Sequence, residues 1–186
     1  MCHTRETGPA IVWQGGAVSP SPRSITLRPI TPADHSFVLE LNERNVELLA
    51  PMDESRLLQL IGWTDRADLV VVDDSPAGFV LTFAAGTAYD SENYRWFTER
   101  FGGDFYYLDR IVLDERFRRM GLGAFVYDAL EERAASYSRM VLEVNSEPPN
   151  LPSLAFHERR GYVAVGELGD AKRVRLMSLE LRGHRR

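Results

Sequence analysis

The chain has 186 residues, 44% of them apolar and 26% charged, and a net charge of −5. That is one domain's worth of sequence, long enough to bury its own core, and the acidic balance disfavours a nucleic-acid binder, which needs a basic face. No apolar run approaches the roughly 18 residues of a membrane span, and the single cysteine, Cys2, excludes a disulfide framework or a cysteine-cluster metal site.

Residues 1–23 are rich in Gly, Pro and Ser and lack an apolar core followed by a small-residue cleavage site. They read as a flexible tail rather than a secretory signal, so a soluble, cytoplasmic protein is expected, with one domain over 24–183. The basic ending, Arg182 to Arg186, reads as solvated chain end. Ser24 to Ile30 alternates apolar and polar residues and predicts a strand. Thr31-Pro32-Ala33-Asp34 combines an N-cap, a proline at the first helical position and an acid at the third, so a helix is predicted from there to near Pro51. A second helix is predicted over about 55–66, from Leu57, Leu58, Leu60 and Ile61. The run from Asp68 to Ala84 predicts a hairpin turning at Asp74-Ser75-Pro76.

A short helix is predicted from Ser91 to Gly102-Gly103, and Asp104 to Leu113 is a β-prone strand. Leu122, Phe125, Val126, Ala129, Leu130 and Ala134 recur at helical spacing, and Ser138 to Asn145 reads as the next strand. Together these form a β-α-β unit, whose helix crosses between parallel strands. A helix over 151–160 and strands over 161–168 and 173–181 complete a mixed α/β chain with a partly antiparallel sheet.

Arg118-Arg119-Met120-Gly121-Leu122-Gly123-Ala124 stands where the strand ending at Leu113 turns into the helix. Free amides and the positive dipole end of a helix face whatever sits there, glycines let it approach, and two arginines add charge, which suits a diphosphate. A Walker P-loop is excluded because no Lys and hydroxyl follow. A dinucleotide fingerprint, G-x-G-x-x-G with Glu143 as the ribose acid, has Val126 at its third glycine and too little chain after it.

Leu113-x-x-x-x-Arg118-x-x-Gly121-x-Gly123 resembles the Gln/Arg-x-x-Gly-x-Gly/Ala signature of the GNAT N-acetyltransferase superfamily. Asn150-x-x-Ser153-x-x-Phe156-His157-x-x-x-Gly161-Tyr162 resembles its second block, and the segment from Tyr89 to Phe97 looks like a bacterial branch of predicted acetyltransferases. The resemblance implies a mostly antiparallel central sheet of about seven strands with flanking helices, and an acetyl-CoA-dependent enzyme acetylating a primary amine, small-molecule or peptide, by direct attack in a ternary complex. It implies that Arg118, Arg119, Gly121, Gly123 and Ala124 hold the pyrophosphate. Backbone of Ile111 and Leu113 would meet the pantetheine arm, and Asn150 would hold the cofactor further along.

An ammonium must lose a proton before it attacks, so a carboxylate base is expected. Glu143 matches an acid used this way in some relatives, and Asp109 is the second choice. Where many relatives have a tyrosine, this chain has His157, whose imidazole is able to hydrogen-bond a leaving thiolate. The family's acceptor region would offer Asn45, Met52, Tyr89, Asp90, Tyr94 and Trp96. Tyr89, Asp90 and Asn45 are the acceptor candidates, whereas Tyr94, Trp96 and Phe97 are expected to pack. No metal, nucleic-acid or membrane partner is expected, and a homodimer is compatible with the reading. The competing functions are a CoA-binding sensor without catalysis and a dinucleotide binder.

Overall fold

The computed structural model describes residues 23–170 and 172–181; Cys2, the expected tail to residue 22 and the basic ending lie outside them. Strands β1 (Ile25–Pro29), β2 (Arg66–Val72), β3 (Ser75–Ala84), β4 (Tyr106–Leu113), β5 (Arg139–Glu147), β6 (Val163–Leu168) and β7 (Arg173–Glu180) form one sheet in the order β1-β2-β3-β4-β5-β7-β6. Every neighbouring pair is antiparallel except β4–β5, which the crossover helix makes parallel. Helices α1 (His35–Glu43), α2 (Glu54–Trp63), α3 (Glu92–Phe101), α4 (Leu122–Arg133) and α5 (Leu151–Arg159) cover it.

Because successive strand residues point to opposite faces, a sheet covered on both sides must be apolar at consecutive positions. Val70, Val72, Val80, Tyr106 and Leu142 are buried in one cluster with Val126 and Leu130 of α4 and Leu154 of α5. Leu69, Val71, Leu81, Phe83 and Tyr107 are buried in the other, with Val38 of α1, Leu57 and Leu60 of α2 and Phe97 of α3. Removing a fully buried side chain such as Phe97 would cost about 3–5 kcal/mol. Tyr94 and Phe97 are buried, and Trp96 covers Gly166 so closely that a Cβ there would lie 2.6 Å from its ring. The aromatic segment is therefore taken up in packing within the chain.

Several boundaries differ from expectation; the second helix, for one, ends at Trp63, and Arg66 already opens β2. The first helix starts where Thr31 and Asp34 predict, as a short 3-10 turn over Pro32–Asp34 leading into α1, with Asp34 accepting from the Thr31 backbone at 2.8 Å. It stops at Glu43, not near Pro51. Side-chain amides compete for the backbone there: Asn45 donates to the Leu41 carbonyl at 2.8 Å and Asn42 to that of Ala50 at 3.2 Å. The hairpin turns at Asp73-Asp74, both with positive φ as a tight two-residue hairpin requires, and Pro76 sits inside β3 beside a bulge that relieves its missing N–H.

Candidate active site

Pairing between β4 and β5 is confined to Tyr106–Met140, Tyr107–Val141 and Leu108–Leu142. On its other side, β4 has Leu108 opposite Thr82 and Arg110 opposite Leu81, so Asp109 is an extra, bulged residue. A bulge bends its strand, and past it β4 and β5 part around a cavity of about 340 Å³. The Asp114 N–H bonds to Ala77 on the β3 side at 2.9 Å. Peptide groups alternate along a strand, so the amides of Ile111 and Leu113 face the open side, as an arm adding on beside β4 would need. Ile111 lines the cavity, while Leu113 is the last strand residue before the glycine loop.

In that loop Gly121 has φ +76 and stands at the N-cap of α4 without any side-chain cap. The amides of Leu122, Gly123 and Ala124 consequently have no acceptor within the helix and present donors to an anion. A Cβ on Gly121 would meet nothing within 4 Å, and one on Gly123 would touch only the Phe156 ring at an ordinary 3.7 Å. The fold itself leaves room for a side chain at 123. A ligand lying on the backbone would not. Arg118 and Arg119 are exposed beside the loop, Arg118 at 3.6 Å from Glu115. These residues fit the diphosphate of a CoA ester.

Asp109 and Glu143 come together at the point where the strands diverge. The Tyr89 hydroxyl donates to Asp109 Oδ1 at 2.6 Å, and Arg110 Nε donates to Asp109 Oδ2 at 3.1 Å. Tyr107, whose ring is fully buried, donates to Glu143, with its hydroxyl 2.8 and 2.9 Å from the two oxygens and 3.4 Å from Asp109. Desolvation, then the charge of Asp109, pushes Glu143 up to about 8, against hydrogen bonds from Tyr107 and Asn93 that favour its ionised form. Asp109 has a guanidinium as immediate partner and Glu143 has none.

His157 is buried on α5 and lines the cavity with Tyr127 of α4. Its Nδ1 lies 2.7 Å from the Ser153 carbonyl oxygen and its Nε2 2.5 Å from the Tyr127 hydroxyl. A carbonyl only accepts, so a neutral ring carries its proton on Nδ1, and Nε2 accepts from Tyr127. Burial lowers the His157 pKa and raises that of Tyr127, which favours this neutral pair.

Of the other expected residues, Asn150 caps α5 by accepting from the Ser153 amide at 3.2 Å, and Asn45, Tyr89 and Asn150 all line the cavity. Asp90 does not; it is held in a two-bond pair with Arg56 at 2.6 and 2.9 Å. Met52 is buried beside Arg110. Tyr107, Tyr127, Asn93, Arg110 and Lys172 are site residues that sequence reasoning missed, because each acquires its place from a partner distant in the chain.

A model of the acetyltransferase (GNAT) family matches residues 32–162. The chain belongs to the GNAT acetyltransferase family. Membership makes this GNAT protein an acetyltransferase with acetyl-CoA as donor, and it sets aside the dinucleotide reading. No curated protein sequence matches it. Among solved structures, its fold is similar to Ard1 from Thermoplasma volcanium, at 20% identity and TM-score 0.65 over 84% of this chain and 97% of that one. It is also similar to the ribosomal-protein-S18-alanine N-acetyltransferase from Escherichia coli, at 16% identity and 0.65 over 88% and 99%. Arabidopsis thaliana NAA60 in complex with acetyl-CoA is similar at 15% identity and 0.65 over 84% and 99%. The glycine loop and the second block of this GNAT domain both lie within the matched residues.

Proposed function

We propose that the protein is a cytoplasmic N-acetyltransferase that acetylates a primary amine by direct attack in a ternary complex, with Glu143 as the base. The observation that carries this reading is the pair of acids at the fork of β4 and β5, where Glu143 is held by Tyr107 beside Asp109 and has no cationic partner among the described residues. Desolvation pushes it up to about 8, which suits a base for an ammonium. The loop amides from Leu122 to Ala124 with Arg118 and Arg119 hold the diphosphate, the amides of Ile111 and Leu113 hold the arm, and Asn150 supports it further along. Bound acetyl-CoA supplies an acetyl thioester with a thiolate leaving group.

Glu143 accepts one proton from the acceptor ammonium, and Asp109, held in place by Arg110 and Tyr89, stands beside it as a second acceptor for the ammonium's hydrogens. Tyr89, Asn45 and Asn93 line its approach. Tyr127 rather than His157 holds the one proton shared by the pair: given to His157 Nε2 at rest, it swings from that nitrogen to the sulfur as negative charge develops there. Its raised pKa keeps the phenol protonated, so it stabilises developing charge on sulfur as a hydrogen-bond donor. His157 positions it. Thiol release from acetyl-CoA across a panel of small and peptide amines tests the proposal; turnover should rise with pH to a midpoint near 8. Acetyl-CoA stabilisation without turnover of any amine would instead favour a CoA sensor.

A further inference from the structure

Resting on the N-acetyltransferase reading above, we propose that the acceptor is an amino carboxylate: a free amino acid whose ammonium enters at Asp109 and Glu143 and whose carboxylate meets Lys172. The cavity holds two cationic side chains, Arg110 and Lys172. Arg110 already has its charge paired, its Nε donating to Asp109 at 3.1 Å and its Nη1 to Asn42 Oδ1 at 2.7 Å and to the Ala50 carbonyl at 3.1 Å. Lys172 is different.

It is the only lysine in a chain whose other basic residues of this kind are all arginines. Arginines supply the cation of nearly every ion pair among the described residues, and Lys172 takes part in none. Its Nζ donates to one neutral group, the Glu47 carbonyl, at 3.0 Å. An ammonium has three N–H donors, so two remain for a ligand.

The surroundings of Lys172 give the acceptor its shape. Lys172 directly precedes β7, whose Arg173 opposes Glu147 of β5, and it reaches across to the α1–α2 connection. Asn145 of β5 makes a second tie to that connection, donating to the Leu48 carbonyl at 3.2 Å. The connection thus becomes a wall of the cavity, to which it contributes Leu48 and Leu49, with Leu48 47% exposed. The lining therefore combines two acids, an exposed ammonium with donors to spare and the apolar Leu48 and Leu49. A zwitterion with an apolar carbon skeleton satisfies all three, whereas a simple amine leaves Lys172 unused. A compact ammonium on a flexible stem suits a single carboxylate.

The test compares kcat/KM for thiol release with the protein amino acids, their C-terminal amides and dipeptides. An amide has the more acidic ammonium and is the readier nucleophile, so any preference for the free acid reports recognition of its carboxylate. At least one free amino acid is expected to exceed its amide tenfold or more. Lys172→Gln should reduce that acid-over-amide ratio about tenfold, as loss of a charge-assisted hydrogen bond does, and Lys172→Arg should retain part of it. Equal use of acids and amides, or a ratio unchanged in Lys172→Gln, overturns the proposal. If dipeptides or amides are acetylated and free acids are not, the N-acetyltransferase reading stands and the amino carboxylate falls. If no amine of any kind is turned over, both fall.

Discussion

The hydroxyl of Tyr107 on β4 lies 2.8 and 2.9 Å from the carboxylate oxygens of Glu143 on β5, across the last stretch where the two strands still pair. The hydrogen bond favours the ionised acid and so partly offsets the desolvation that raises its pKa. Tyr107→Phe keeps the buried ring and deletes the bond. The rising limb of the pH–rate profile should move to higher pH, and turnover at pH 7 should fall roughly three- to tenfold. A profile that stays in place on the pH axis would leave Tyr107 with packing alone.

Glu143 should cost stability where it is needed for catalysis. Its ordinary value is 4.5 and its folded value about 8. Between those pH values the folded protein holds a proton that the unfolded chain has lost, so the stabilising contribution is full below about pH 4.5 and falls as pH rises through 8. Glutamine does not titrate. Glu143→Gln should therefore melt higher than the parent by a margin that widens by several degrees from pH 5 to 8.5, while turnover drops about a hundredfold. Melting curves and rates on the same samples check both; a variant as active as its parent makes Asp109 the base.

Gly123→Ala separates the needs of the fold from those of the ligand. The added methyl meets only the Phe156 ring at 3.7 Å, and alanine is the better helix former by about 1 kcal/mol. The ligand-free variant should be as stable as the parent or slightly more so. Its thermal shift with acetyl-CoA should shrink sharply if the diphosphate lies against this loop, because the methyl adds bulk to the backbone it would approach. An undiminished shift would mean that the diphosphate lies elsewhere, and a comparable shift with NAD in the parent would contradict acetyl-CoA as the donor.

Tyr127→Phe leaves the α4–α5 contact filled but removes the hydroxyl 2.5 Å from His157. Turnover should drop ten- to a hundredfold with the KM for acetyl-CoA nearly unchanged, since the donor acts on charge that develops only during reaction. His157→Ala should lower turnover by a similar factor, but with Tyr127→Phe already present it should add little further loss, as a residue acting through another does. Full activity in Tyr127→Phe would return the donor role to His157.

The elements whose ends are set by neighbouring residues were legible in the sequence. Ser91 accepts from the Tyr94 amide at 3.3 Å and opens α3, Gly102 with φ +64 closes it, and Asn150 caps α5. The loop at Gly121 and Gly123 could be read for the same reason, since a turn's backbone needs are written in its own residues. The end of α1 was not, because Asn42 draws in the carbonyl of Ala50, eight residues on. The chemistry of the site belongs to the tertiary structure. The bulge at Asp109 lies where β4 parts from β5, Tyr107 meets Glu143 beside that fork, α4 and α5 bring Tyr127 to His157, and Arg56 of α2 takes Asp90. A proton affinity near 8 on Glu143 follows from how much water the packed walls exclude and which charges they place beside it. Neither quantity exists until the sheet has formed.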